Sequence, residues 1–186
     1  MGLGGAVAIM LAGCSSSTAT TATTATTVPS TLPATAVVLD AAYARSVGFP
    51  NTVKAAKESS VTGQNGCTSS VVAVYENTGT KTGLISDVLI CGSTGSATAA
   101  LAVARRAVKV DPSLPVPEGL GATAFGTSSH APEYLLVWQA GNRVAITAID
   151  VDTTASSTST SRPPALTPSQ STTLGNAAIR QNSLYR

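Results

Sequence analysis

Charge is scarce in this chain. Asp, Glu, Lys and Arg together make up 11% of its 186 residues and leave a net charge of +2. That is no basic field of the kind a nucleic-acid-binding surface needs, so DNA and RNA are excluded as partners. Histidine is nearly absent too, His130 being the only one. With a single imidazole, and carboxylates scattered rather than set at ligand spacing, the pattern gives no metal centre and no cofactor site. Aromatic residues are 4%, and Ala, Val, Ser and Thr fill their place, so the core is built from small side chains. Long apolar runs are also missing. The run over residues 3–13 falls well short of the ~20 residues that cross a bilayer.

What is there begins with that run. Residues 3–13 are all apolar or glycine, the size of the apolar core of a secretory signal, although no Lys or Arg precedes them. They read as an export signal rather than a membrane-spanning helix. Behind them, Ser15 to Thr35 holds only Ser, Thr, Ala, Pro, Val and Leu. Such a tract buries too little surface to offset its ordering entropy and reads as a disordered tether. Leu11, Ala12, Gly13 and Cys14, between the two, resemble the lipobox of bacterial lipoproteins. The resemblance implies that the signal 1–13 is removed, that Cys14 carries the lipid, and that the protein is exported and held at the cell membrane. The Ser/Thr/Pro composition of the tether suits O-glycosylation.

Signal and lipid-bearing tether (14–35) leave 36–186, about 150 residues, enough for one domain with its own core. With Cys14 taken by lipid, Cys67 and Cys91 remain. In an exported chain such a pair reads as one disulfide, the alternative being two free buried thiols. The strand pattern bears on this independently. "TSSVVAVYEN" (68–77) and "GLISDVLIC" (83–91) favour strands, and "NTGTK" between them is a turn signal. Pairing centred near Gly79 sets position i against 158 − i and so places Cys67 opposite Cys91.

The remaining elements follow from caps and periodicity. Residues 35–49 read as a helix capped by Thr35 and stopped by Gly48 and Pro50. Residues 93–110 read as a helix that starts with capping hydroxyls at Ser93 and Thr94 and carries the stripe Ala97, Leu101, Ala104 and Val108, ended by Asp111 and Pro112. The proline-rich stretch 112–132 is a long shaped loop with a short strand at Ala122–Phe125. "EYLLVWQAGNRVAITAIDV" (133–151) is a hairpin about Gly141–Asn142, apolar on both faces and therefore covered on both. Residues 152–166 are an internal linker. Thr167, Pro168 and Gln170 then open a C-terminal helix over 167–185. The expected fold is α+β, an antiparallel sheet of two hairpins with helices packed on it.

The layout resembles a family group. The lipobox, the Ser/Thr tether, the Cys pair, and "GLGATAFG" leading into "EYLLVWQAGNRVAITAID" are similar to small envelope lipoproteins and kinase-attached extracellular sensor domains of mycobacteria and their relatives. One Cys pair stands where the sensor group would have two. The resemblance implies a surface-exposed sensor, carrier or partner-binding module, and it transfers no catalytic residue.

Candidate chemistry is sparse. Ser128, Ser129 and His130 lie together in "GTSSHAP", the raw material of a minor Ser/His hydrolase, but adjacent loop residues rarely reach the geometry a nucleophile and base require. An exposed loop histidine is the plainer reading. Asp150 and Asp152 share a strand face and could suit Ca²⁺, against a simple solvated strand end. Arg105, Arg106 and Lys109 form a basic cluster, with Arg105 and Lys109 one helical turn apart, either a solvated helix back or a contact for anionic headgroups. Tyr134, Leu136 and Trp138 share a strand face beneath the loop carrying Phe125, and these four are the candidate lining of a cleft for an apolar ligand, or simply core. The expectation is a non-catalytic, lipid-anchored envelope module that binds a small ligand or an envelope protein.

Overall fold

The computed structural model describes residues 34–128, 133–151 and 165–185. Cys14, the tether through residue 33, Ser129, His130, Asp152 and the linker through residue 164 lie outside the described residues. The fold is α+β. In chain order it runs α1 (Ala41–Ser46), β1 (Asn51–Gln64), β2 (Cys67–Asn77), β3 (Thr82–Cys91), α2 (Thr94–Ala107), β4 (Phe125–Thr127), β5 (Glu133–Ala140), β6 (Arg143–Asp150) and α3 (Pro168–Ser183), with 3-10 turns at Ala34–Val37 and Glu118–Leu120. The strands form one antiparallel sheet in the order β1-β2-β3-β6-β5-β4. Six strands stand where two hairpins would give four, because β1 and β4 extend the sheet at its two ends.

Alternation divides the sheet into two buried layers. One face carries Val71, Ala73, Tyr75, Leu84, Val88, Leu136, Trp138, Ala145 and Ile149, covered by the N-terminal segment and by Leu174, Ala177 and Ala178 of α3. The other carries Leu135, Val137, Val144 and Ala148 with Phe125, covered by Ala97, Ala100, Leu101 and Ala104 of α2. The double apolar character of residues 133–151 therefore has its cause: this hairpin is the part of the sheet sandwiched between α2 and α3.

Helix ends follow the side chains that can satisfy them. The helix expected over 35–49 divides, since Asp40 caps the shorter α1 by accepting from the Tyr43 N–H at 2.7 Å. Leu39, just ahead of that cap, is tied to the sheet: its N–H donates to Ser86 Oγ and its carbonyl accepts from the Tyr75 hydroxyl. Ser93 caps α2 as its position suggested. The helix ends earlier than expected, because Val108 turns extended and Val110 bridges to Thr127 beside β4. Thr167 and Gln170 complete a capping box on α3 with Pro168 at its first turn. Gln181 anchors the far end of that helix: it is fully buried, accepts from Thr147 Oγ1 at 2.6 Å, and donates toward the Asp87 carbonyl and the Tyr185 hydroxyl.

Cys67 and Cys91 form a disulfide. The hairpin that carries them departs from the expected register by one residue. Asn77 pairs with Thr82 and Val71 with Val88, because four residues fill the turn and Asn77 Oδ1 accepts from the Gly79 and Thr80 N–H groups. A bulge between Cys67 and Ser69 absorbs the offset and returns Cys67 to Cys91.

Candidate functional site

A cavity of about 310 Å³ opens where the loop after α2, the end of β4, the start of β5 and the approach to α3 meet. It is lined by Asp111, Ser113, Leu114, Pro115, Ser128 and Tyr134 together with Ala165, Leu166 and Ser171. The loop wall is set by local chemistry. The Asp111 N–H donates to the Gly126 carbonyl at 2.8 Å, fastening the loop to β4. Asp111 Oδ1 accepts from the Ser113 N–H and hydroxyl, and Oδ2 accepts from the Ser128 hydroxyl at 2.8 Å. Leu114 then lies on Gly126, where a Cβ would meet its Cδ2 at 2.9 Å and its Cβ at 3.0 Å. Glycine is required there by this close approach.

The lining is mixed: one carboxylate, the hydroxyls of Ser113, Ser128, Tyr134 and Ser171, and the apolar surfaces of Leu114, Pro115, Ala165 and Leu166. Its volume stands at the small end of ligand cavities. Such a lining can hold a small molecule that has both a hydrogen-bonding and an apolar part. Its one anionic group, Asp111, favours donors over acceptors in the ligand.

Of the four aromatic and aliphatic candidates, Tyr134 alone lines this cavity. Leu136 and Trp138 share its sheet face but have no exposed surface, and the Trp138 indole N–H donates to Asn182 Oδ1 of α3 at 3.0 Å. Phe125 belongs to the opposite layer. It pairs with Val137 in register, so its ring falls on the α2 side, where the Arg105 guanidinium lies 5.6 Å from the ring centre. The four therefore do not line one cleft, because the pleat separates Phe125 from the other three.

The basic cluster is likewise dispersed. Arg105 stacks over Phe125, Arg106 Nε donates back to the Ala102 carbonyl, and Lys109 lies past the end of α2 rather than one turn along it. Among the described residues no three His, Cys, Asp or Glu side chains stand together. Asp150 faces Glu133 across the β5–β6 pairing, a carboxylate pair that sequence reasoning missed although the hairpin register about Gly141–Asn142 sets 133 against 150. Glu133 is buried and its Oε2 has no hydrogen-bond partner. Burial, and then the charge of Asp150, push its carboxyl up to about 7.

Comparison with protein-family models, curated proteins and solved structures gives no match. The site must be read from its own residues. Ser128 gives its hydroxyl hydrogen to Asp111, and Asp111 is also engaged by Ser113. In this arrangement the carboxylate shapes a loop and the serine is one of its ties.

Proposed function

We propose that this protein is a non-catalytic, lipid-anchored module of the cell envelope that binds a small ligand in the cavity between Asp111 and Ser171. The cavity carries the reading: its walls come from four separate parts of the chain and combine a rigidly held carboxylate, hydroxyls and an apolar side. The Cys67–Cys91 disulfide supports an oxidising compartment, which agrees with the export signal at 3–13 and lipid attachment at Cys14. The tether would then hold the domain off the membrane, leaving the cavity free to meet its ligand. A carrier or sensor role needs affinity and not turnover, and the tie from Ser128 to Asp111 supports it by holding the cavity wall in place.

The reading is tested on the full chain, purified with its anchor in a mild detergent, by native mass spectrometry followed by organic extraction. A stoichiometric, extractable small molecule is the expected result. A bare protein that also binds nothing from an envelope extract would overturn it.

A further inference from the structure

The open end of the β5–β6 ladder sets two carboxylates side by side, Glu133 on β5 directly opposite Asp150 on β6. Residues so paired have Cβ atoms within about 5.5 Å of each other. The two differ in their access to water. Glu133 is 8% exposed, with Oε2 buried and without a hydrogen-bond partner, whereas Asp150 is half-buried. Two like charges at this spacing resist being ionised together, and the more buried group is the one that keeps a proton. Glu133 is that group.

The surrounding elements do not relieve the pair. On β3, Gly83 faces Asp150 without a side chain, and beyond it Glu76 of β2 adds a further carboxylate. β4 ends opposite Leu135 and brings no titratable group. The last turn of α2, which covers this layer, carries Arg105, held over the Phe125 ring, and Arg106, whose Nε donates to the Ala102 carbonyl. Lys109 follows the helix, its carbonyl accepting from the Thr127 hydroxyl. Burial and the charge of Asp150, rather than any of these cations, set the proton affinity of Glu133.

This end of the ladder is also an edge of the cavity. Tyr134, next to Glu133, lines the cavity and pairs with Ile149, next to Asp150. When Glu133 gives its proton to water, the ladder end must carry a second desolvated charge beside Asp150 or separate. We infer that Glu133 and Asp150 form a pH-operated clasp on the Tyr134 wall of the cavity, closed while Glu133 holds its proton and loosened when the proton leaves. By linkage, a ligand that needs the closed wall is held on the acid side and released as pH rises through neutrality, and its binding draws a proton onto Glu133. The consequence for the ligand rests on the cavity reading, whereas the clasp itself does not.

The test is amide hydrogen exchange of the full-length protein at pH 5.5 and pH 8, with protection corrected for the intrinsic pH dependence of exchange. Protection at 134–135 and 149–151 should fall by more than about tenfold across this range in the wild type and stay constant in Glu133→Gln, while β2 keeps its own. Asp150→Asn leaves Glu133 buried but removes the like charge, so in that variant the fall should move to lower pH. Protection indifferent to pH, or falling equally in Glu133→Gln, would overturn the proposal. Native mass spectra of the same samples read the ligand: a small molecule retained at pH 5.5 and lost at pH 8 is expected in the wild type, and retention at both in Glu133→Gln. Retention indifferent to pH in the wild type would overturn the clasp's hold on the ligand. A pH-dependent clasp in a protein that carries no small molecule at either pH would uphold the clasp and overturn the cavity reading instead.

Discussion

Removing the charge of Asp87 should make this protein more stable at neutral pH, and the gain should vanish in acid. The carboxyl is raised from 3.8 to about 6, first by burial among aliphatic chains, so the folded protein holds this proton more tightly than the unfolded chain does. A group of this kind leaves stability intact below about pH 4, where it is protonated in both states. The stability is lost as pH rises toward 6, because the folded state must then carry a desolvated charge. The size follows from the two values, at ~1.4 kcal/mol for each tenfold change, or about 3 kcal/mol in all. Asp87→Asn removes the titration, so the stability difference between variant and wild type should grow in the variant's favour by about 3 kcal/mol between pH 3 and pH 8. Trp138 is the only tryptophan and is fully buried, so its emission reports unfolding in urea. Urea midpoints measured for both proteins across this range cancel the contributions of every other titrating group. A difference that stays flat with pH would refute the burial argument.

Three further outcomes follow from the packing. Replacing Cys67 and Cys91 by Ala opens a link of sequence separation 24 and should lower stability by about 3–4 kcal/mol, read as an earlier urea midpoint. Gly126→Ala drives a methyl group against Leu114, which can yield only by moving from its place in the cavity wall; the expected result is a cost of about 1–3 kcal/mol together with loss of the bound ligand in native mass spectra. Glu133→Gln should leave stability nearly unchanged near pH 4 and raise it at pH 8, since the Glu133 carboxyl titrates near 7 when folded, and identical melting at both pH values would show that Glu133 is solvated.

The helix caps at Ser93 and Thr167 and the two-faced hairpin 133–151 were legible in the sequence because each depends on neighbours within a few residues. The disulfide was legible for a different reason. Its pairing depends on one bulge, and the register deduced without that bulge happened to agree at the cysteines alone. Strand β1 left no signal: residues 51–62 are exposed except for half-buried Ala56 and Val61, so little selects for alternation, and its Lys residues and register shifts are what a sheet edge uses to stay unpaired. The apolar side chains of residues 133–138 could be assigned to faces but not to roles. Whether Trp138 lines a cleft or lies under a helix depends on α3, which returns to it from more than forty residues away. The cavity was invisible for the same reason, since Asp111, Ser128, Tyr134 and Ser171 meet only after the sheet has formed.

The most direct test of the cavity as the ligand site is hydrogen exchange on the full-length protein as purified and after extraction of its small molecules. Removal should raise exchange in the segments 111–115 and 165–171 while β2, β3 and β6 keep their protection. Unchanged exchange in both segments, or a change confined to the α2-side face of the sheet, would contradict the account.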